Sequence, residues 1–153
     1  NAGAEVTGFD REFPQDNYPF ATEVLDVANA GITLDRIAAY DFMAIYCEDF
    51  GVADKSLNGE NGFAFSELSA RRNLIKTAIK NLVVDGLVIA TDDEAGILYS
   101  ASESGRNMSK SFQSEYAKRY KELMRLVVAK YGNYSDVQLF NEISRQSTKS
   151  LRR

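Results

Sequence analysis

The stretch NLVVDGLVIATDDEAGILYSASESGR, residues 81–106, decides the fold. Its first residues complete an apolar helical pattern that ends near Gly86. The pattern then alternates with a period of two over residues 87–91 and 97–101, which indicates two short strands joined by a turn that contains glycine. Ser102 is placed to cap another helix. This order of helix, hairpin and helix is typical of winged-helix domains.

Helical patterns also precede the hairpin. Both prolines lie before Phe20, so no proline interrupts a helix in the rest of the chain. Apolar residues recur at helical spacing from Phe20, and Gly31 is placed to end this first helix. Thr33 is a good N-cap for a second helix, and Ser66 for a third. Three helices are therefore expected before the strands.

Further helices are expected after the hairpin. A long helix is predicted around residues 113–131, and a last helix begins at Ser135, where Gln138 completes a capping box. The sequence thus predicts a mainly α fold with a small β-hairpin, in which a winged-helix-like core is followed by additional C-terminal helices. The expected organisation is an irregular N-terminal arm over residues 1–19, a single domain over 20–146 and a basic tail over 147–153.

The composition excludes most familiar catalytic and metal sites. The 153 residues include no histidine, no tryptophan and one cysteine, Cys47. Histidine is the commonest general base and metal ligand, and a zinc site needs several cysteines or histidines. Residues 51–56 superficially resemble a phosphate-binding loop, but Asp54 stands where that loop needs glycine, and its carboxylate would repel phosphate. We therefore expect no enzyme activity, no ATP binding, no metal and no cofactor.

Charge is distributed unevenly along the chain. Residues 1–63 contain 12 acidic and 3 basic side chains, whereas residues 64–153 contain 10 acidic and 15 basic ones. The net charge of −4 therefore conceals a basic C-terminal part that suits a local anionic partner or an acidic protein surface. Apolar stretches are too short to span a membrane, and no signal peptide opens the chain. Together with the unpaired Cys47, this pattern predicts a cytoplasmic protein without a membrane partner.

The third predicted helix has a basic, hydrogen-bonding face. Arg72, Lys76 and Lys80 follow one another at helical spacing, and Asn73 and Thr77 lie between them. In winged-helix domains the helix before the wing enters the major groove, so these five residues are candidate contacts for nucleic acid or a partner protein. Three acids at the hairpin tip would oppose phosphate binding. A solvated face, or one that docks on an acidic protein, is the favoured interpretation.

Two further features of the pattern concern packing and interfaces. Asp41 shares a helix face with apolar residues, so its carboxylate needs a buried partner, for which Arg71 or Arg72 is the candidate. A structural ion pair between the second and third helices is therefore expected. Tyrosines on one face of the long helix form a packing seam or supply anchors for a partner. These candidate interface aromatics are Tyr116, Tyr120 and Tyr131.

Several phrases together resemble the middle component of bacterial ABC-three-component systems. They are LDRIAAYDFMAIYCEDFG from Leu34, FSELSARRNLIKTAIKNLVVDGLV from Phe65, YSASESG from Tyr99 and SEYAKRYKELMRLVVAKYGNYSDVQLFNEI from Ser114. The resemblance implies a small winged-helix subunit without catalytic residues. It also implies two partners, an SMC-like or ABC-type ATPase and a larger effector such as a nuclease, in an operon that defends bacteria against phages.

These observations lead to one expected function and one alternative. The expected function is a non-catalytic adaptor that links the ATPase to the effector and meets nucleic acid only within the assembled complex. The alternative is a free winged-helix transcriptional regulator that binds DNA through Arg72, Lys76 and Lys80. Binding by the isolated chain, and its dependence on salt, distinguishes the two.

Overall fold

A computed structural model describes residues 20–54, 65–94 and 96–151 of the chain. These residues form six helices and one antiparallel hairpin. In chain order the elements are α1 Phe20–Ala28, α2 Leu34–Ile45, α3 Phe65–Val84, β1 Val88–Asp93, β2 Gly96–Ala101, α4 Glu103–Ser111, α5 Glu115–Tyr131 and α6 Asp136–Leu151. The prediction of a mainly helical fold with a small hairpin is confirmed. The predicted arm over residues 1–19 lies outside the described residues.

Helix α2 is the central element of the core. Its start is fixed as predicted, because the Arg36 backbone N–H donates to the Thr33 hydroxyl over 3.1 Å. Every residue from Ile37 to Ile45 is buried, so the helix is covered on all sides. It packs against α1, α3, α5, α6 and β2. The remaining elements are therefore arranged around one buried helix.

A polar cluster attaches the start of α2 to the turn before α6. The Arg36 guanidinium donates to Asp136 Oδ1 over 2.7 Å and to the Gly132 carbonyl over 3.0 Å. The Thr33 hydroxyl donates to the other Asp136 oxygen over 2.6 Å. Because Arg36 is largely buried, these bonds are screened little by water and fix the α5–α6 turn on the core.

Two helix ends show how local backbone chemistry sets the boundaries. Helix α3 ends at Val84, and the φ of 79° at the following Gly86 lets Gly86 and Leu87 donate back to the carbonyls of the last helical turn. The sequence pattern predicted this end. It was wrong for α1, which is ended by Asn29 rather than Gly31, because Asn29 takes the left-handed conformation at φ 52° and donates to the Leu25 carbonyl.

The start of α3 and the end of α6 also differ from the predictions. Helix α3 begins at Phe65, so Ser66 lies inside its first turn and is not the N-cap. Helix α6 begins with the predicted capping box, in which Ser135 and Gln138 each accept from the other's backbone N–H. It then continues to Leu151, and Ser147 is buried, so the helix extends into the segment that the sequence assigned to a basic tail. The inner face of α6 is still buried at Ser147, so the helix continues past the point at which the sequence becomes polar.

The hairpin is longer than predicted and is attached to the connection between α1 and α2. Its register pairs Val88 with Ala101 and Asp93 with Gly96. Ile32 forms an isolated bridge with Tyr99, in which each backbone N–H donates to the other residue's carbonyl over 2.8–3.0 Å. The sequence pattern did not predict this bridge, because one paired residue leaves no periodic signal.

Helix α4 starts in close contact with the hairpin base. Ser102 caps it as predicted, accepting from the Gly105 N–H over 3.0 Å. A Cβ at Gly105 would lie 2.1 Å from the Leu87 carbonyl oxygen, so only glycine allows this approach. Helix α4 is separate from the long helix α5, which has its own N-cap at Ser114. Helix α1 packs on both, and this arrangement creates the groove described below.

Candidate interaction site

Asp41 lies in α2 with no exposed surface, and side chains from two other helices hold its carboxylate. Arg71 Nε of α3 donates to Asp41 Oδ2 over 2.6 Å, and the Tyr120 hydroxyl of α5 donates to Oδ1 over 2.5 Å. Of the two predicted candidates, the structure brings Arg71 to Asp41. Both carboxylate oxygens have a donor, which is the condition for burying a carboxylate without a large loss of stability. This ion pair joins α2, α3 and α5.

Arg72 makes a different ion pair, at the surface. Its Nε donates to Asp35 Oδ1 over 2.6 Å, and both side chains keep more than a third of their surface exposed. Arg72 is therefore partly occupied within the chain and offers less of its guanidinium to a partner than the sequence pattern suggested. A surface pair of this kind contributes little to stability.

The rest of the predicted α3 face is open to solvent. Asn73, Lys76, Thr77 and Lys80 are all exposed. The Thr77 hydroxyl donates to the Asn73 carbonyl over 3.3 Å, so it bonds to its own helix. Within the described part of the chain, Lys76 and Lys80 form no ion pair. These two ammonium groups are the freely available cations of this face.

The hairpin tip is acidic and exposed. Asp92 and Asp93 end β1, and Glu94 follows them; all three are exposed to solvent. Carboxylates at this position repel nucleic-acid phosphates, whereas a wing that binds DNA needs cations there. The hairpin tip is therefore a negatively charged surface, whereas the α3 face is positively charged.

The aromatic seam on α5 is mainly a packing feature. Tyr120 and Tyr131 are 0% and 2% exposed, which favours the packing seam over interface anchors, the two alternatives that the sequence left open. Tyr120 stacks on Phe20 with ring centroids 4.8 Å apart, and the Tyr131 hydroxyl donates to the Phe50 carbonyl over 2.9 Å. Tyr116 is half-buried and also stacks on Phe20. Their rings close the core between α1, α2 and α5.

A basic groove of about 610 Å³, which was not predicted from the sequence, lies between α1, α4 and α5. Its lining includes five cations, Lys110, Lys118, Arg119, Lys121 and Arg125. A neighbouring groove of about 680 Å³ shares three of them and continues to Asp26 and Arg106. Four of the five cations lie on α5, where Lys118, Lys121 and Arg125 recur at helical spacing, so this stripe is the sequence signal that could have found the groove.

Two buried polar side chains line the first groove without a hydrogen-bond partner in the part of the chain that the structure describes. Glu23 is 1% exposed and Ser109 is 2% exposed, yet Glu23 Oε1 and Ser109 Oγ are both unpaired. Desolvation by burial raises the pKa of Glu23 to about 8, against the opposing influence of Lys121 and Arg125. At neutral pH this carboxyl is mainly protonated. Its spacing from Phe20 and Val27 puts Glu23 on the apolar face of α1, and this signal could have found it.

Residues 20–54, 65–94 and 96–151 contain no group of three or more acidic or cysteine side chains placed to hold a metal ion. Cys47 is fully buried, and burial raises the pKa of its thiol. None of the helices in these segments has the length and apolar character that a membrane span requires.

Comparison with known proteins gives one short match and one extensive match. A 29-residue stretch is 72% identical to part of 2,3-dihydro-2,3-dihydroxybenzoate dehydrogenase from Escherichia coli (strain K12), which is 19% of this chain and 12% of that enzyme. So short a part of an enzyme does not carry its activity. No solved structure matches the chain. The family model of the ABC-three component (ABC-3C) system Middle Component 2 matches residues 23–153, and the chain therefore belongs to this family.

Proposed function

We propose that this protein is a non-catalytic adaptor subunit of a bacterial anti-phage defence complex, which links an SMC-like or ABC-type ATPase to a larger effector such as a nuclease. Membership in a family of middle components is the observation that carries the proposal, because the family name places the chain in a system of several components. The absence of histidine agrees with a subunit whose partners perform the chemistry. The proposed location is the cytoplasm.

The exposed face of α3 is the proposed contact with one partner. Lys76 and Lys80 lie one helical turn apart, are exposed and form no ion pair within the described residues. An acidic patch on a partner protein would pair with both, and the Asn73 side chain adds a hydrogen-bonding group beside them. The acidic hairpin tip supports a protein partner over a nucleic acid, since its carboxylates do not repel a protein surface of mixed charge.

Purification of the complex tests the proposal. The chain, tagged and expressed with its neighbouring genes, is expected to co-elute with an ATPase and a second, larger protein. The double variant Lys76→Glu plus Lys80→Glu should lose one of them while its melting temperature stays unchanged. Lys118→Glu plus Arg125→Glu makes the same change in charge on α5 and serves as the matched control, which should retain both partners.

The second candidate function is a DNA-binding transcriptional regulator with a winged-helix-like fold. The same free lysines on the helix before the hairpin favour it, because that helix enters the major groove in winged-helix domains. If the isolated chain eluted alone and bound duplex DNA with a steep salt dependence that Lys76→Glu plus Lys80→Glu removed, this function would replace the adaptor.

A further inference from the structure

The groove between α1, α4 and α5 combines several cations with two buried polar groups that have no hydrogen-bond partner among the described residues. We infer that it is a binding site for a small phosphorylated ligand, whose phosphate oxygens contact the cations of α4 and α5 and the side chains of Ser109 and Glu23. Residues 51–54, part of the segment that superficially resembles a phosphate-binding loop, do not line this groove. The inferred site also goes beyond the proposed adaptor function, which does not use this groove.

Free positive charge is the first argument. Lys110, Lys118 and Arg125 line the groove and form no ion pair within the described residues. Arg119 and Lys121 are paired with Glu122 and Asp26, over 3.3 and 3.2 Å. Glu115 and Glu122 also line the groove, so five cations share it with three acidic side chains, and the remaining excess of positive charge favours a multiply charged anion.

The two unpaired buried groups are the second argument. A buried hydroxyl or carboxyl without a hydrogen bond costs free energy, and such groups are rare in folded proteins. Ser109 can donate its hydroxyl proton, and Glu23 can donate one while its carboxyl is neutral. Both side chains lie at the groove that the cations surround, so an oxyanion there would accept from them and satisfy both.

The size of the groove is the third argument. About 610 Å³ lies within the range of small-molecule sites, and Phe112 provides an apolar wall beside the cations. Pyrophosphate would occupy the charged part alone, whereas ADP would also place its base against Phe112. Phosphate recognition is common to both, and their relative affinities distinguish a simple polyphosphate from a nucleotide.

Isothermal titration of the full chain with pyrophosphate and with ADP, at low ionic strength and pH 7, tests the inference. We expect saturable binding of at least one of them at a single site. Lys118→Glu plus Arg125→Glu should weaken it by about tenfold or more, since charge-assisted hydrogen bonds are lost. Lys76→Glu plus Lys80→Glu, the matched change on α3, should leave affinity within about twofold, because neither lysine lines this groove or the neighbouring one.

Ser109→Ala distinguishes a built site from general attraction to positive charge. It removes an unpaired hydroxyl without changing charge, and we expect the affinity to fall several-fold while the melting temperature is maintained. Absence of binding by the unmodified chain would overturn the inference. So would an equal loss in both charge-reversal variants, or binding of duplex DNA alone.

The pH dependence of binding provides a second readout. Glu23 is faced by Lys121 and Arg125 of α5 and lies near Asp26 of α1, while Arg106 and Lys110 of α4 line the adjoining groove. As the pH rises through about 8, Glu23 ionises and repels the phosphate, so affinity should fall. In Glu23→Gln the amide remains a donor, and this fall should disappear. An identical decline in both proteins would contradict the contact with Glu23.

Discussion

Two carboxylates are fully buried among the described residues, and the structure surrounds them differently. Asp41 lies between α2, α3 and α5 with donors on both oxygens, from Arg71 and Tyr120. Glu23 lies at the groove between α1, α4 and α5, and its Oε1 accepts no hydrogen bond from residues 20–54, 65–94 or 96–151. Breaking a satisfied buried ion pair is strongly destabilising, whereas a buried polar group without a hydrogen bond lowers stability while it is present. The comparison therefore separates a structural carboxylate from one that is available to a ligand.

Removal of the satisfied carboxylate should have the largest effect. Asp41→Ala leaves Arg71 and Tyr120 without their acceptor, and we expect the free energy of unfolding to fall by about 3–5 kcal/mol. Urea denaturation followed by circular dichroism measures it. Asp41→Asn, which retains an acceptor, should lose less. An unchanged stability for Asp41→Ala would mean that the pair does not hold the three helices together.

Removal of the Glu23 carboxyl should raise, rather than lower, the free energy of unfolding. The unfolded chain releases the Glu23 proton near pH 4.5, but the folded chain retains it until about pH 8, so the stability of the protein falls as the pH rises between these values. Glu23→Gln does not titrate and should be more stable than the unmodified protein by about 1–3 kcal/mol at pH 8. The difference should vanish towards pH 4. Parallel stability profiles of the two proteins over this range would refute the assignment.

The exposed ion pair between Asp35 of α2 and Arg72 of α3 should have the smallest effect on stability. It is a reference for the buried pair between Asp41 and Arg71. Asp35→Ala removes the partner of Arg72, and we expect a loss of about 0–1 kcal/mol, since water already solvates both side chains. Sodium chloride should reduce this loss further. If Asp35→Ala cost as much as Asp41→Ala, burial would not explain the difference between the two ion pairs.

Sequence reasoning succeeded where one local pattern determines the structure. Thr33, Ser102 and the Ser135–Gln138 box each cap a helix through hydrogen bonds within four residues, so the sequence contains all the information needed. Asp41 was identifiable as a buried charge because it interrupts an apolar stripe. The choice between Arg71 and Arg72 needed the structure, because adjacent residues on a helix point about 100° apart.

Sequence reasoning failed where distant segments create the feature. The basic groove takes Lys110 from α4, Lys118 and Arg125 from α5 and Glu23 from α1, and only the packing of these helices brings the four together. Tyr120 was expected at a surface or in a seam, and its burial depends on Phe20, which lies 100 positions earlier in the chain. Periodicity describes the face of one helix and does not show which element covers that face.

The bridge between Ile32 and Tyr99 has a consequence for how the hairpin can associate with other chains. Tyr99 lies opposite Ala90 on one side and is bonded to Ile32 on the other, so a foreign strand cannot add to β2 at that residue. In the described part of the chain, β1 has no strand on its outer edge. That edge ends in Asp92 and Asp93, and charged side chains on an open edge discourage intermolecular strand pairing. The carboxylates that make the tip unsuitable for DNA thus also protect the subunit against edge-to-edge aggregation.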